Sequence, residues 1–371
     1  MDAFTTPSNW QRVKLGDIFF ITAGGDLSKP HYSNTKQSDF NYPIYSNAIE
    51  KKGLYGYSSF FIIKNKSITI TSRGTIGVAF FRDYPYVPIG RLLVLQPKIS
   101  NIDCRFYTEY INSKVKFNTE QTTIPQLTIP KVALCEILLP PLDEQIAIAN
   151  VLSDLDHYLY TLDALILKKE SVKKALSFEL LSQRKRLKGF NQAWKRVRLG
   201  DIAEIKRGVR ITKNELDVFG KYPVVSGGVG FLGYTNNFNR YENTITIAQY
   251  GTAGFVNWQN QKFWANDVCF CIYPNKDIIK NIFLYYFLKV NQNYLYEISN
   301  RNATPYSISK DKILDFEIPL PSLDEQIAIA NILSGLDNEI ISLKNKKRQF
   351  ENIKKALNHD LMSAKIRVLK K

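Results

Sequence analysis

The chain has 371 residues, of which 44% are hydrophobic and 13% aromatic, and its formal net charge is +16. This composition is typical of a folded protein and excludes a chain that is disordered as a whole. No run approaches the roughly 18 uninterrupted apolar residues of a membrane span, and the opening MDAFTTPSNW lacks the pattern of a signal peptide. We therefore expect a cytoplasmic protein. The basic excess favours nucleic acid as a partner, the alternative being a merely basic soluble protein.

Cysteine and histidine are scarce, with four cysteines and three histidines in the chain. No Cys-x-x-Cys pair occurs, and Cys269 and Cys271 have the alternation of two side chains on one face of a strand. A place in a buried core explains this pair better than a metal or redox site does. The sequence predicts no metal site and no cofactor.

The first half opens with WQRVKLGD at Trp10–Asp17 and continues as short segments separated by Gly, Pro and Asn turns. Ser67–Thr71 has the alternation of a strand, and Cys104–Ser113 has the apolar spacing of a short helix. We predict that residues 1–141 form a β-rich α+β domain.

A long helix is predicted over residues 142–188. It begins with LDEQIAIAN at Leu142–Asn150, where Asp143 could cap the first turn, and Gly189 offers a stop. At 1.5 Å per residue such a helix would span roughly 65–70 Å. Apolar residues recur in it with a 4–3 spacing, which is typical of a seam that packs against another helix. They are Ile148, Leu152, Leu155, Leu159, Leu162 and Ile166.

The second half repeats the first. LDEQIAIAN returns at Leu323–Asn331, WKRVRLGD at Trp194–Asp201 matches the opening motif, and ITIAQYGTAG at 245–254 matches ITITSRGTIG at 68–77. A duplicated unit of about 180 residues is too long for a solenoid repeat and indicates two homologous halves.

The repeat predicts a second domain over residues 189–322, with a strand at Asn243–Ala248 and a helix at Ile279–Val290. A second long helix is predicted over residues 323–371, and Ser322 and Glu325 have the spacing of a capping box at its start.

The predicted fold is α+β: two β-rich globular domains in a pseudo-twofold repeat, separated by two long helices packed as an antiparallel coiled coil. The simplest partner for one helix with an apolar seam is the other such helix. The alternatives are that each helix packs only on its own domain, or that the helices join two copies of the chain.

Two pairs of matched loops keep their Gly or Pro residues and differ in the other side chains. They are SRGTIG at 72–77 with QYGTAG at 249–254, and QTTIPQLT at 121–128 with RNATPYS at 301–307. Glycines allow a tight turn after a strand and leave neighbouring side chains projecting. Arg, Gln, Asn and Thr suit base edges, so the pattern indicates two readers of different sequences on one scaffold, with ordinary polar turns as the alternative.

The candidate DNA-binding residues in these loops are Arg73, Thr75, Thr122, Thr123, Gln126, Gln249, Tyr250, Thr252, Arg301, Asn302, Thr304 and Tyr306.

The sequence contains no Walker-type phosphate loop, no Gly-x-Ser-x-Gly elbow and no tetrad for amino methylation of a base. Its positive charge lies mainly in the two predicted domains, with a net +6 in residues 1–141 and +5 in residues 189–322, against +1 in residues 142–188. Binding by the domains and spacing by the helix fit this division better than catalysis does.

The chain resembles the specificity subunit of type I restriction–modification enzymes over essentially its whole length. The resemblance rests on LPPLDEQIAIA at 139–149 and its partner LPSLDEQIAIA at 320–330, on Trp-x-x-Val-x-Leu-Gly-Asp opening each half, and on the Gly-Thr-x-Gly and Thr-x-Pro loops. It implies a non-catalytic subunit with two target-recognition domains, each of which reads one half of a split sequence in double-stranded DNA.

The resemblance further implies that the helices fix the gap between the half-sites and bind two modification subunits, which methylate adenine. Two restriction subunits, which translocate and cleave DNA with ATP, would complete the enzyme. The helix starts are the candidate partner-binding positions, namely Asp143, Glu144, Gln145, Asp324, Glu325 and Gln326.

Two other functions are compatible with the sequence. One is a scaffold that bridges proteins and binds DNA without sequence preference, which would show a steep salt dependence and no discrimination. The other is a specificity chain that serves a fused restriction–methylation enzyme.

Overall fold

The structure, a computed structural model, describes residues 9–117, 125–302 and 304–368. The chain divides into two compact units, the first formed by residues 1–163 and 346–371 and the second by residues 164–345. Each unit therefore contains one of the β-rich domains and a part of each long helix.

In its described residues, the domain of the first unit contains short strands, three short helices and two 3-10 turns at Lys29–His31 and Glu50–Gly53. Its strands are β1 (Gln11–Lys14), β2 (Phe19–Ala23), β3 (Tyr32–Ser33), β4 (Tyr42–Tyr45), β5 (Leu54–Ser58), β6 (Ser67–Ile70), β7 (Ala79–Arg82), β8 (Val87–Pro88), β9 (Leu93–Pro97) and β10 (Glu136–Leu139), and its helices are α1 (Leu15–Ile18), α2 (Cys104–Lys114) and α3 (Ile129–Ala133).

Three sheets organise these strands. One is antiparallel in the order β2-β9-β6-β7, and a second has the order β3-β5-β4-β8 with β4 and β8 parallel. Helix α2 is capped by Asp103, whose carboxylate accepts hydrogen bonds from the backbone N–H groups of Arg105 and Phe106. Phe106 and Tyr107 are fully buried in one core with the first sheet, and burial of each such ring contributes roughly 1.5–3 kcal/mol.

The third sheet closes the domain, because β1 pairs antiparallel with β10. Gln11 lies opposite Leu139 and Lys14 opposite Glu136. The strand that follows Trp10 thus lies beside the strand that leads into the LDEQIAIAN motif.

The domain of the second unit repeats this plan. Its strands are β11 (Lys195–Arg198), β12 (Ala203–Arg207), β13 (Tyr222–Val225), β14 (Phe231–Thr235), β15 (Thr244–Ala248), β16 (Val256–Gln259), β17 (Trp264–Ala265), β18 (Cys269–Pro274) and β19 (Glu317–Leu320), and its helices are α5 (Leu199–Ile202), α6 (Asn281–Val290), α7 (Gln292–Glu297) and α8 (Lys310–Leu314).

The sheet orders match as well: β12-β18-β15-β16 is antiparallel, β14-β13-β17 contains the parallel pair, and β11 pairs with β19. Cys269 and Cys271 are buried in β18, so their predicted place on a core strand is confirmed. The α+β class and the twofold repeat are confirmed too.

The long helices are α4 (Leu142–Leu181) and α9 (Leu323–Leu361), and both begin at the Leu of LDEQIAIAN, as predicted. The predicted caps are wrong in detail. Asp143 lies inside the first turn of α4 and does not precede it. Ser322 Oγ accepts from the Glu325 N–H at 3.3 Å, but the Glu325 carboxylate turns to Trp194 and Arg186, so only half of the capping box forms.

The end predicted for the first long helix is also wrong. Helix α4 stops at Leu181, before residue 188, and Gln183 follows with a left-handed φ of 64°. Leu180 and Leu181 are buried in the core of the second unit. The left-handed backbone at Gln183 ends the helix there, and Gly189 lies in the loop beyond.

Within each unit the two long helices pack antiparallel. In the first unit Asp156 pairs with Lys354 at 2.7 Å and Asp163 with Lys347 at 2.7 Å, so rising numbers in α4 meet falling numbers in α9. In the second unit Lys169 pairs with Glu339 at 2.8 Å. Exposed pairs of this kind contribute about 0–1 kcal/mol each. The alternative that each helix packs only on its own domain is therefore wrong.

Apolar burial accompanies these pairs, as the predicted seam requires. Of the seam residues predicted in α4, those that are buried are Ile148, Leu152, Leu162 and Ile166. In α9 the buried residues include Ile329, Leu333, Ile340 and Leu361.

Candidate nucleic-acid interface

In the first unit the two predicted loops lie side by side at the end of β6. The backbone N–H of Leu127 donates to the carbonyl of Ser72 at 2.9 Å, and Arg73 Nη2 donates to Gln126 Oε1 at 3.2 Å. Arg73 and Thr75 are exposed, and Gln126 is half-buried. Thr122 and Thr123 lie outside the described residues.

The turn after β6 needs its glycines. Gly74 has a φ of 68° and Gly77 a φ of 90°, both in the left-handed region. A Cβ on Gly77 would also lie 2.8 Å from the ring of Phe117. The Gly-Thr-x-Gly pattern is therefore a backbone requirement of a tight turn that leaves Arg73 exposed.

The second unit brings the matched loops together in the same way. The N–H of Gly251 donates to the carbonyl of Tyr306 at 3.1 Å, and the N–H of Ile308 donates to the carbonyl of Gln249 at 3.0 Å. Tyr250 forms an isolated bridge with Ser307. In both units one composite loop surface thus forms at the end of the same strand.

Arg301 has a defined place on this surface. Its guanidinium carbon lies 4.8 Å from the ring centre of Tyr306 and 5.1 Å from that of Tyr296, and its Nε donates to the Tyr296 carbonyl at 3.2 Å. Asn302, Thr304 and Tyr306 are exposed beside it. Stacked Arg and Tyr offer flat faces and donors to a ligand.

Gln249 and Thr252 are both half-buried. The Gln249 Oε1 is buried and has no hydrogen-bond partner among the described residues. Thr252 donates to the carbonyl of Gly227 from both its N–H, at 2.9 Å, and its Oγ1, at 2.6 Å. Thr252 therefore ties this surface to the loop that contains Gly227.

That third loop was missed by the sequence reasoning. In the first unit it spans residues 46–53, and Asn47 connects it to its neighbours: Oδ1 accepts from the Ser72 N–H at 2.7 Å, and Nδ2 donates to the Gly90 carbonyl at 2.6 Å. The match of YPIYSN at 42–47 with YPVVSG at 222–227 marks the start of this loop in each half. A local sequence pattern does not show, however, which residues a loop contacts.

The glutamates of the repeated motif lie in the interior. Glu144 is 2% exposed and Glu325 is 1% exposed. The indole N–H of Trp10 donates to Glu144 at 3.0 Å, and that of Trp194 donates to Glu325 at 2.9 Å. An arginine that follows a long helix completes each site: Arg367 Nη2 lies 2.9 Å from Glu144, and the equivalent distance from Arg186 to Glu325 is 2.9 Å.

The glutamines of the motif are fully buried as well. Gln145 Oε1 accepts from the Asp103 N–H at 2.9 Å, and Gln326 Oε1 accepts from the Lys280 N–H at 2.7 Å. Asp103 and Lys280 immediately precede α2 and α6, so each glutamine joins the start of a long helix to the start of a domain helix.

The prediction that these four side chains contact partner subunits is therefore wrong, because residues sealed inside this chain present no surface to a partner. Asp143 and Asp324 are exposed. Ile146 and Ile327, at the same motif position, are 37% and 41% exposed.

A half-buried carboxyl group, that of Glu109, lies where the helices of the first unit meet α2. Asn358 Nδ2 donates to Glu109 Oε2 at 2.9 Å. Burial raises the pKa of Glu109 above its ordinary value, although nearby Lys354 opposes the shift. The second unit has Tyr286 near the matched place, where its hydroxyl donates to Asp337 at 2.8 Å.

No group of three or more His, Cys, Asp or Glu side chains among the described residues could hold a metal ion. In the same part of the chain no helix is long and apolar enough to cross a membrane.

Two matched loop surfaces on a duplicated basic α+β scaffold are typical of a nucleic-acid recognition protein. The family model described as the type I restriction modification DNA specificity domain matches residues 7–169 and again residues 191–352. The chain belongs to this family of type I DNA specificity subunits.

Individual relatives agree in length and fold. The MjaVIII type I specificity subunit of Methanocaldococcus jannaschii is 25% identical over 412 aligned residues, which cover 99% of this chain and 95% of the relative. The crystal structure of the type I S subunit of M. genitalium covers 96% of this chain and 97% of that chain, with a TM-score of 0.73 and 20% identity. The HsdS subunit of Thermoanaerobacter tengcongensis has a TM-score of 0.50 and 15% identity over 98% of this chain and 99% of that chain.

Proposed function

We propose that each composite loop surface reads one half of a bipartite sequence in double-stranded DNA, and that the long helices set the gap between the halves. The observation that carries this proposal is that loops distant in sequence meet at the end of the same strand in both units, with different exposed side chains: Arg73 in one, Arg301 and Tyr306 in the other. Phosphate contacts position such a surface on the duplex, while side chains at base edges specify the sequence.

The chemistry belongs to partner subunits. Two modification subunits methylate the bound DNA, two restriction subunits translocate and cleave it, and all of them act in the cytoplasm. The repeated exposed positions Asp143, Ile146, Asp324 and Ile327 are the proposed docking points for the modification subunits, since the same side chains are presented in the same way at both helix starts.

A domain exchange tests the two-reader model. Residues 194–321 are replaced by the equivalent domain of the M. jannaschii relative, and the methylated sequence is mapped in a host that carries the modification subunit. One half of the sequence should change. If both halves changed, or neither did, the assignment of one half-site to each unit would be wrong.

A point variant tests the loop surface. Arg73→Ala should relax one position of the half-site read by the first unit, at a cost of about 1–3 kcal/mol for the preferred base. Arg301→Ala is the matched control, because its effect should fall in the other half-site. Equal weakening on all duplexes would make Arg73 a phosphate contact and would favour the nonspecific scaffold.

A further inference from the structure

We propose that the first unit holds the DNA backbone through a phosphate clamp, which consists of Lys51, Lys52 and Arg91, and that the second unit has no such clamp. Buried Arg82 is the positioning residue of the clamp. The inference rests on the proposed reading of DNA by the loop surfaces and adds that the two half-sites are held by different interactions.

The backbone of the clamp is the first observation. Lys51, Lys52 and Arg91 have φ values of 48°, 54° and 66°, and all three are exposed. A left-handed conformation costs a non-glycine residue roughly 1–2 kcal/mol, and such costs concentrate at functional sites. Three cationic residues in this costly conformation therefore point to a functional role for the way their positive side chains are displayed.

Arg82 is the second observation. It is 1% exposed, its Nη2 donates to the carbonyl of Lys52 at 2.6 Å, and its Nε donates to Thr69 Oγ1 at 3.1 Å. Its guanidinium lies 3.6 Å from the ring centre of Tyr45. Arg82 therefore fixes the lysine turn through the Lys52 carbonyl. Among the described residues no carboxylate forms an ion pair with it, so its buried charge is not neutralised by an acidic side chain.

Two small side chains hold the clamp together. Asn47 starts the lysine loop, donates to the Gly90 carbonyl at 2.6 Å and accepts from the Ser72 N–H at 2.7 Å. Ser72 Oγ donates to the Arg91 carbonyl at 2.6 Å. The lysine turn, the Arg91 turn and the loop of Arg73 are therefore one hydrogen-bonded block.

The second unit is an internal control, because it lacks the lysine turn and has no arginine at the positions of Arg82 and Arg91. Between the matched residues Ser46–Asn47 and Gly53 the first unit has AIEKK, whereas the second has only GV at 228–229. Val268 replaces Arg91, and Gln259 replaces Arg82. Gln259 Nε2 donates to Thr246 Oγ1 at 3.0 Å, the counterpart of the Arg82–Thr69 contact. The threonine contact survives there without the cation or the lysine turn.

The physical consequence is a difference in salt dependence. Each phosphate neutralised on duplex DNA adds about 0.9 to the slope of log affinity against log salt concentration. Loss of two such contacts should make the slope shallower by about 1.8. The ratio of wild-type affinity to variant affinity should therefore be about 12-fold smaller at 200 mM salt than at 50 mM.

The test uses the full chain and 40-base-pair duplexes selected from a random pool by the wild-type chain. Binding to the selected duplex and to a scrambled duplex is measured between 50 and 200 mM salt. Lys51→Gln/Lys52→Gln should weaken binding at low salt, lower the slope and leave the ratio between selected and scrambled duplexes unchanged. Lys64→Gln/Lys66→Gln is the matched control, since it removes two exposed lysines at the opposite end of β6 and should leave the slope unchanged.

Arg82→Gln, which installs the residue of the second unit, tests positioning. It should lower the slope as the double lysine variant does, and adding it to that variant should change the slope no further. If Arg82 only stabilised the fold, the unfolding midpoint would fall and the salt slope would not. Because the lysines are exposed, their variants test the clamp even if Arg82→Gln does not fold.

The outcomes separate the two proposals. If the wild-type chain selects no sequence, the proposed reading of DNA fails. If it selects a sequence, but the Lys51/Lys52 and Lys64/Lys66 variants change the slope equally or not at all, the clamp is refuted and the reading of DNA stands.

Discussion

Glu325 is the residue whose removal should most clearly weaken the second unit. It is 1% exposed, accepts from the Trp194 indole N–H at 2.9 Å and from Arg186 Nη2 at 2.9 Å, and so joins the start of α9 to two other segments. Glu325→Ala leaves the indole N–H without its acceptor, which costs about 1–3 kcal/mol. It also leaves the Arg186 guanidinium without its carboxylate partner.

The magnitude follows from the burial of the partners. Breaking a fully buried ion pair costs about 3–5 kcal/mol, but the Arg186 side chain is 28% exposed and keeps part of its hydration. We expect Glu325→Ala to lower the free energy of unfolding by about 2–4 kcal/mol. Glu325→Gln retains an acceptor oxygen for Trp194 and should cost about half as much.

The assay is urea unfolding of the full chain, with Glu144→Ala as the matched variant in the first unit. A double-mutant cycle of Arg186→Ala and Glu325→Ala should give a coupling energy of about 1–3 kcal/mol. A loss below about 1 kcal/mol for Glu325→Ala, or additive effects in the cycle, would refute the reasoning that this buried group holds the helix start on its domain.

Three further predictions concern other parts of the chain. Gly254→Ala should destabilise the second unit by more than about 1 kcal/mol in urea unfolding. The reason is that Gly254 has a φ of 87° and that the Cβ of an alanine there would lie 2.8 Å from the Leu295 carbonyl oxygen. An unchanged unfolding midpoint would contradict this prediction. Ile327→Glu should reduce co-purification of the modification subunit without changing the unfolding midpoint. The control is Ile341→Glu, which changes a more exposed residue of the same helix outside the repeated motif and should not reduce co-purification. Equal effects of the two variants would refute the docking assignment. Glu109→Gln should stabilise the first unit more at neutral than at acidic pH. Burial raises the folded-state pKa of Glu109, so the stability associated with its protonated form is lost as pH rises through that pKa. An effect on the free energy of unfolding that does not depend on pH would contradict the shift.

Local patterns predicted much of the fold. The starts of α4 and α9, the strands near Ser67 and Thr244 and the helices near Cys104 and Asn281 all follow from apolar periodicity and turn residues. The end of α4 did not, because the left-handed residue that ends it is Gln183 and not a glycine, so local pattern gives no stop signal there.

The candidate site divides in the same way. Glycine spacing located the Arg73 turn and its match, and the structure brings both predicted loop pairs together. The third loop was missed because Asn47 acts through bonds to Ser72 and Gly90, which are distant in sequence. A comparison of the loop lengths of the two halves could have found it, since AIEKK has no full counterpart.

The sequence by itself determined the duplication, the α+β class, the two long helices and the family, because repetition and periodicity are properties of the order of residues. Only the tertiary structure decided which side chains of LDEQIAIAN face inward. Glu144, Gln145, Glu325 and Gln326 have the polarity of surface residues, yet each is buried and hydrogen-bonded to groups far along the chain. Burial depends on what packs against a residue, and those neighbours are known only once the chain has folded.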